Sequence, residues 1–276
     1  MKRERRSLLN KVTSLILAAA MLFSVAVVSA PDPVSASVHS MPGKGGTVAI
    51  TDAASSVIGS DYNWISYKAP NDGYLQIRFV NATRIPEIGY SVGEVQMFNT
   101  AKSQPLSSAF VYDTSSNVAG FSSECYGVKK GKTYQIRIKS AGGVNVVGKF
   151  KKVKDKSGTK KKKALNLKRG KSTVGVIAAG TSNSHWYKFT LKKPQKMNVN
   201  LTPYLTGSVN LSVKGPGIYP YARTVTCRTD DGKTIWLNNY SKKYQVRWPK
   251  IRTGTYYIEV KPANKLVNGY YKISWK

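Results

Sequence analysis

Two histidines, His39 and His185, and thirteen acidic side chains are the whole stock from which this 276-residue chain can draw a base or acid that works near neutral pH. Nucleophilic catalysis needs a base held against a hydroxyl or thiol. His39 falls next to a leader cleavage site, and His185 opens a strand immediately before Trp186, where a structural histidine is the simpler reading. Paired carboxylates for glycoside hydrolysis must face each other. The C-terminal part has only Asp230, Asp231 and Glu259, and the first two share a turn sequence with Gly232. Zinc needs a cluster of His and Cys that is absent. Asp230-Asp231 alone is too little for calcium, and no glycine loop leads into a helix to cradle phosphate. The expectation is a non-enzyme, with no catalytic, cofactor or metal residue assigned.

The chemistry that is abundant is cationic. Forty-four Lys and Arg against thirteen Asp and Glu give a formal charge of +31, and it is unevenly spread. Residues 37–150 hold eleven basic and seven acidic side chains. Residues 151–171 hold eleven basic ones and a single acid, Asp155, and residues 172–276 hold seventeen basic and three acidic. Lys151, Lys152, Lys154, Lys160, Lys161, Lys162, Lys163, Lys168, Arg169 and Lys171 are therefore the candidate anion-binding residues. Like charges repel, so this stretch is expected to be extended and solvated unless an anion sits on it. Lysines near an anionic surface are worth about 1 kcal/mol each, and salt screens them. The competing reading is that the lysines only keep the protein in solution.

Aromatic rings are the second lead, with seventeen Tyr and five Trp. Exposed planar rings stack on sugar faces. Strand alternation puts Trp186 on the side of Lys188 and Thr190, Trp64 on the side of Lys68, and Trp236 opposite Ile235 and Leu237. Trp236, Trp186 and Trp64 are candidates for an aromatic platform; alternatively each folds over an end of its sandwich and caps the core.

These residues have to be positioned by a repeated β-module. Trp64-Ile65-Ser66-Tyr67 is echoed 122 positions later by Trp186-Tyr187-Lys188-Phe189, and Tyr134, Ile136 and Ile138 by Tyr256, Ile258 and Val260. A long-period echo of alternating apolar residues means one module present twice. In the second copy strands are expected at 185–191, around 197–201, and at 209–213, 224–228, 233–238, 244–248, 255–261 and 270–275. In the first they are expected at 48–51, 64–69, 74–80, 94–98, 109–113, 133–139 and 144–151, with an irregular insert at 81–93. Short strands at this spacing, without helical periodicity, indicate an all-β protein of two tandem antiparallel β-sandwich modules of jelly-roll or immunoglobulin-like type. The reading places a signal helix at 1–36, module one at 44–152, a lysine-rich linker at 153–171 and module two at 172–276.

Trp186-Tyr187-Lys188-Phe189-Thr190-Leu191, the Lys-Pro turn after it, Gly254-Thr255-Tyr256-Tyr257-Ile258-Glu259-Val260 and the closing Asn268-Gly269-Tyr270-Tyr271-Lys272-Ile273 together resemble the bacterial pre-peptidase C-terminal domain. The resemblance covers about 172–275 well and 46–152 more loosely. It implies a secreted, non-catalytic β-sandwich of a kind often attached to extracellular hydrolases. That family's acid before the first strand is matched by Asp61 but replaced near Asn183, which removes support for a shared cation site.

Lys2, Arg3, Arg5, Arg6 and Lys11 followed by an apolar run over residues 15–28 read as a secretory signal. Cleavage fits after Ala36, or after Ala30 with a poorly placed Pro31; an uncleaved anchor is the alternative. Cys125 and Cys227 are not equivalent in the repeat, and two buried free thiols are expected. The functional expectation is a secreted or surface-associated binding protein for an anionic cell-wall polymer or extracellular polysaccharide. An accessory or chaperone-like partner for a separate secreted hydrolase, and a glycan-binding module, are the alternatives. Export limits nucleic acid to extracellular DNA.

Overall fold

The computed structural model describes residues 38–50, 62–81, 92–114, 123–140, 143–225 and 244–276. Asp61, Cys227, Trp236 and the expected hairpin at Asp230-Asp231-Gly232 lie outside them. The first module contains β1 (Val38–Met41), β2 (Gly45–Ile50), β3 (Asn63–Lys68), β4 (Gly73–Asn81), β5 (Val92–Phe98), β6 (Phe110–Asp113), β7 (Ser123–Val128), β8 (Thr133–Ser140) and β9 (Val144–Lys152). The second contains β10 (Leu165–Asn166), β11 (Thr173–Ile177), β12 (His185–Leu191), β13 (Gln195–Leu205), β14 (Val209–Gly215), β15 (Ile218–Val225), β16 (Tyr244–Ile251), β17 (Gly254–Pro262) and β18 (Gly269–Trp275).

The two modules are wired identically. Module one has sheets in the order β1-β3-β8-β5-β6 and β2-β9-β4-β7, and module two has β10-β12-β17-β14-β15 and β11-β18-β13-β16. All described pairings are antiparallel except β1 with β3 and β10 with β12, which are parallel. Between the members of each parallel pair the chain visits the opposite sheet, through β2 or β11, and so returns in its original direction. Alternation does the sorting. In β12, Tyr187, Phe189 and Leu191 are buried while Trp186, Lys188 and Thr190 face out. Each pair of sheets closes on its own core. Ile65, Tyr67, Leu75, Ile77 and Ile136 lie in one. Phe189 lies in the other, stacked on Tyr256 and Trp275 at centroid distances of 5.4 and 4.3 Å.

Several expectations need correction. The first strand of module one is β1, ahead of the expected start at residue 44, and it places His39 opposite Ile65. The strand expected at 224–228 instead begins at Ile218 and pairs with β14 across Pro216-Gly217. Strands β1, β7, β10 and β11 were not expected. The largest correction concerns 153–171, which is no free linker. Gly158 pairs with Trp186, Lys161–Lys163 form one 3-10 turn, and β10 adds a strand to the edge of the second sandwich.

The sandwiches are also fastened to each other. Asn268 is fully buried and its Oδ1 accepts the Gly127 N–H at 3.1 Å, while its Nδ2 donates to the Leu106 carbonyl at 2.8 Å. The Gly127 carbonyl accepts the Ala179 N–H at 2.9 Å. Gly127 is required here because a Cβ would strike the Ile177 carbonyl oxygen; Gly269, at φ +123°, would meet the carbonyls of Tyr204 and Cys125 in the same way. Tyr74 stacks on Tyr270 at 3.9 Å and Tyr270 on Tyr204 at 4.4 Å, joining the four-stranded sheets across the boundary.

Candidate functional site

The connector is held down by its few non-basic residues. Asp155 accepts the backbone N–H groups of Ser157 and Val176, both at 2.7 Å, and lies 3.5 Å from His185 Nδ1. Gly158, Ala164 and Leu167 are buried. The Leu167 N–H donates to the Lys188 carbonyl at 2.7 Å, and the Leu167 carbonyl accepts Trp275 Nε1–H at 3.0 Å. All ten sequence-predicted basic residues of 151–171 are exposed. Lys151 and Lys152 end β9 of the first module, whereas Lys160–Lys163 stand on a folded segment between the Gly158–Trp186 bridge and β10, beside β12, and Arg169 lies near Trp275 of β18. Lys161 Nζ stands 4.7 Å above the Tyr257 ring, and the Arg169 guanidinium 6.0 Å from that of Trp275.

His185 is a structural residue. Its Nδ1 lies 2.8 Å from the Tyr271 hydroxyl, which lies 2.7 Å from that of Tyr187. Burial holds the imidazole below its usual pKa despite the opposing pull of Asp155, and raises both tyrosines. Tyr187 and Tyr271 are fully buried, so no nucleophile that a substrate could reach is paired with this base. Above the Asp155 end lies a cleft of about 230 Å³ between the modules, lined by Asp72, Gly73, Lys129, Lys154, Asp155 and Val176 among others. Among the described residues no group of three or more His, Cys, Asp or Glu could hold a metal ion, and no helix is long and apolar enough to cross a membrane.

The three predicted platform tryptophans part company. Trp64 is 3% exposed, packed edge-on against Phe98 with its centroid 5.4 Å away, and Lys102 Nζ lies 4.8 Å from the ring. It has no face for a ligand, because the segment after β5 roofs it. Trp186 is half-buried. Trp236 lies outside the described residues.

Sequence reasoning missed a ring on the same sheet. The outward residues of β12, β17 and β14 form rows across the strands. Lys188 sits opposite Tyr257, which sits opposite Lys214. Trp186, Glu259 and Ser212 make the next row, with Glu259 accepting hydroxyls from Ser184 at 2.7 Å and Ser212 at 3.5 Å. The equivalent row in module one is Ser66, Gln135 and Phe98. Its neighbour Arg137 is already engaged by Glu94 at 3.2 Å and Gln96 at 2.9 Å. Parity alone would have exposed this contrast had both copies been aligned row by row.

No family model matches the chain, and no curated protein matches it. Among solved structures it is similar to the pre-peptidase C-terminal domain of a Bacillus anthracis collagenase, at 12% identity over 41% of this chain and 94% of that one, with a TM-score of 0.31. It is similar to tripeptidyl peptidase 2 at 11% identity over 88% of this chain and 24% of that one, with a TM-score of 0.26. The CBM22-1–CBM22-2 tandem domain of Paenibacillus barcinonensis Xyn10C matches at 9% identity over 85% of this chain and 91% of that one, with a TM-score of 0.25.

Proposed function

We propose that this chain is an exported, non-catalytic binding protein that holds an anionic cell-wall polymer or extracellular polysaccharide on the basic surface of its second sandwich. One observation carries the reading: the basic residues of 154–171 are all exposed, on a backbone pinned by Asp155, Gly158, Ala164 and Leu167. A loose polycation would have to be ordered when it bound. A fastened one has already met that entropic cost in folding. With lysines worth about 1 kcal/mol each at an anionic surface, this segment is sufficient for retention at low salt. The basic leader followed by an apolar run supports export, and cleavage after Ala36 leaves β1 whole. The test is a salt titration of the mature chain on isolated cell wall. Binding should weaken steadily with ionic strength and again when Lys160, Lys161, Lys162 and Lys163 are changed to Ser. Affinity indifferent to both would sink the proposal.

A further inference from the structure

We infer that the outer face of the β10-β12-β17-β14-β15 sheet carries a subsite for an anionic polysaccharide. Tyr257 is the surface on which one sugar ring lies, and Lys188, Lys214 and Lys161 take the charges beside it. The inference rests on the anionic-polymer reading above and names the ligand class of that same module.

The geometry is a cross-strand row. Lys188, Tyr257 and Lys214 stand directly opposite one another on three neighbouring strands. Strands lie about 5 Å apart, so the two lysines straddle the ring with roughly 10 Å between their backbones. That separation leaves room for a sugar on the ring with an anionic group reaching each flank. Lys188 and Tyr257 are half-buried, with their positions set by the sheet, whereas Lys214 and Lys161 are exposed. Lys161 now occupies the ring face from an exposed 3-10 turn. Its flexible stem lets the ammonium swing to a flanking anion as the sugar takes its place.

The aromatic ring separates this ligand class from a simple polyanion. A sugar ring has C–H-lined faces that lie flat on a phenol, whereas a polyphosphate has none and gains nothing from Tyr257. Glu259, the acid on the neighbouring row, is turned to Ser184 and Ser212, and such hydroxyl-bonded carboxylates also suit the edge of a sugar. The first module makes the contrast. There the same row reads Ser66, Gln135 and Phe98, the adjacent Arg137 is neutralised by Glu94, and Trp64 is roofed over. In the first module the Trp64 ring is roofed over, whereas in the second the Tyr257 ring is half-buried, flanked by lysines and met by the exposed Lys161, although the cores beneath them repeat.

The experiment compares binding of the mature chain to polygalacturonate, to a phosphodiester-linked glycan and to inorganic polyphosphate, across salt concentrations. Tyr257→Ser should weaken both glycans by about tenfold, the order found for loss of a stacked ring, and leave polyphosphate within about twofold. Tyr257→Phe should restore glycan binding. Lys188→Ser with Lys214→Ser should weaken all three by roughly 25-fold, about fivefold per lysine. Bound polygalacturonate should protect Lys188 and Lys214 of the unaltered chain from amine acylation, a readout that does not depend on any variant folding. Preference for one glycan over the other identifies the anion as carboxylate or phosphodiester. Salt-sensitive binding that ignores Tyr257, or protection confined to Lys160–Lys163, overturns the subsite and leaves the anionic-polymer reading standing. Binding to none of the three polymers, or binding that ignores salt, overturns that reading itself.

Discussion

Asn268→Ala tests whether the two sandwiches behave as one cooperative body. Asn268 is fully buried and spans the boundary, accepting from Gly127 N–H at 3.1 Å and donating to the Leu106 carbonyl at 2.8 Å. Truncation leaves the buried Gly127 N–H without its partner, at about 1–3 kcal/mol. The half-buried Leu106 carbonyl, which water can reach, adds about 1 kcal/mol. The total is roughly 2–4 kcal/mol. For a unit of this size each kcal/mol moves Tm by about 2–4 °C, so calorimetry should show a fall of about 5–15 °C. The parent chain should melt in one transition, because the tyrosine stack and the Gly127–Ala179 bond also cross the boundary. In the variant the transition should broaden or split as coupling is lost. Asn268→Asp keeps an acceptor for Gly127 but loses the donor to Leu106 and buries a charge, so it should be at least as damaging at neutral pH. A Tm shift below about 2 °C for Asn268→Ala, with the single transition kept, would refute the claim that this residue joins the modules.

Asp155→Ala removes the acceptor of two backbone N–H groups; trypsin should then cut within 151–163 several times faster than in the parent, read by mass spectrometry of timed digests. His185 is held neutral by burial, its folded pKa lying below the ordinary value of 6.5. Its contribution to stability is therefore complete above pH 6.5 and lost as pH falls below it, so denaturant midpoints should be flat from pH 8 to 6.5 and decline beneath, with the decline reduced in His185→Gln. Burial pushes the Cys125 thiol up to about 12, so iodoacetamide should leave it unlabelled in the native chain at pH 8 and modify it readily in denaturant.

Strands with strict alternation, such as β12 and β17, were legible, and β7 was not. β12 and β17 announce themselves by strict alternation of apolar and polar residues. β7, Ser-Glu-Cys-Tyr-Gly-Val, is buried at every position but the first, because one side meets its own core and the other meets the second module. Contact on both sides erases the period of two, so nothing in Ser123–Val128 marks it as a strand. The connector misled for a related reason. Its lysines dominate the composition, while the residues that fold it are small or solitary: Gly158, Ala164, Leu167 and the lone Asp155. That single acid among eleven bases was a signal in plain view, since a partly exposed carboxylate with two N–H partners is what organises the segment.

The amino-acid sequence alone determined that this is a duplicated all-β protein and that its cationic surface belongs to the connector and the second copy. Alternation and composition are local properties, readable without a partner. What only the tertiary structure decided is which side chains remain available. Trp64 and Trp186 have the same spelling and the same parity, yet one is roofed by Phe98 and Lys102 and the other is half-open. Parity tells which side of a sheet a ring is on; what lies above it depends on residues far away in the chain, and that is settled only when the chain has folded.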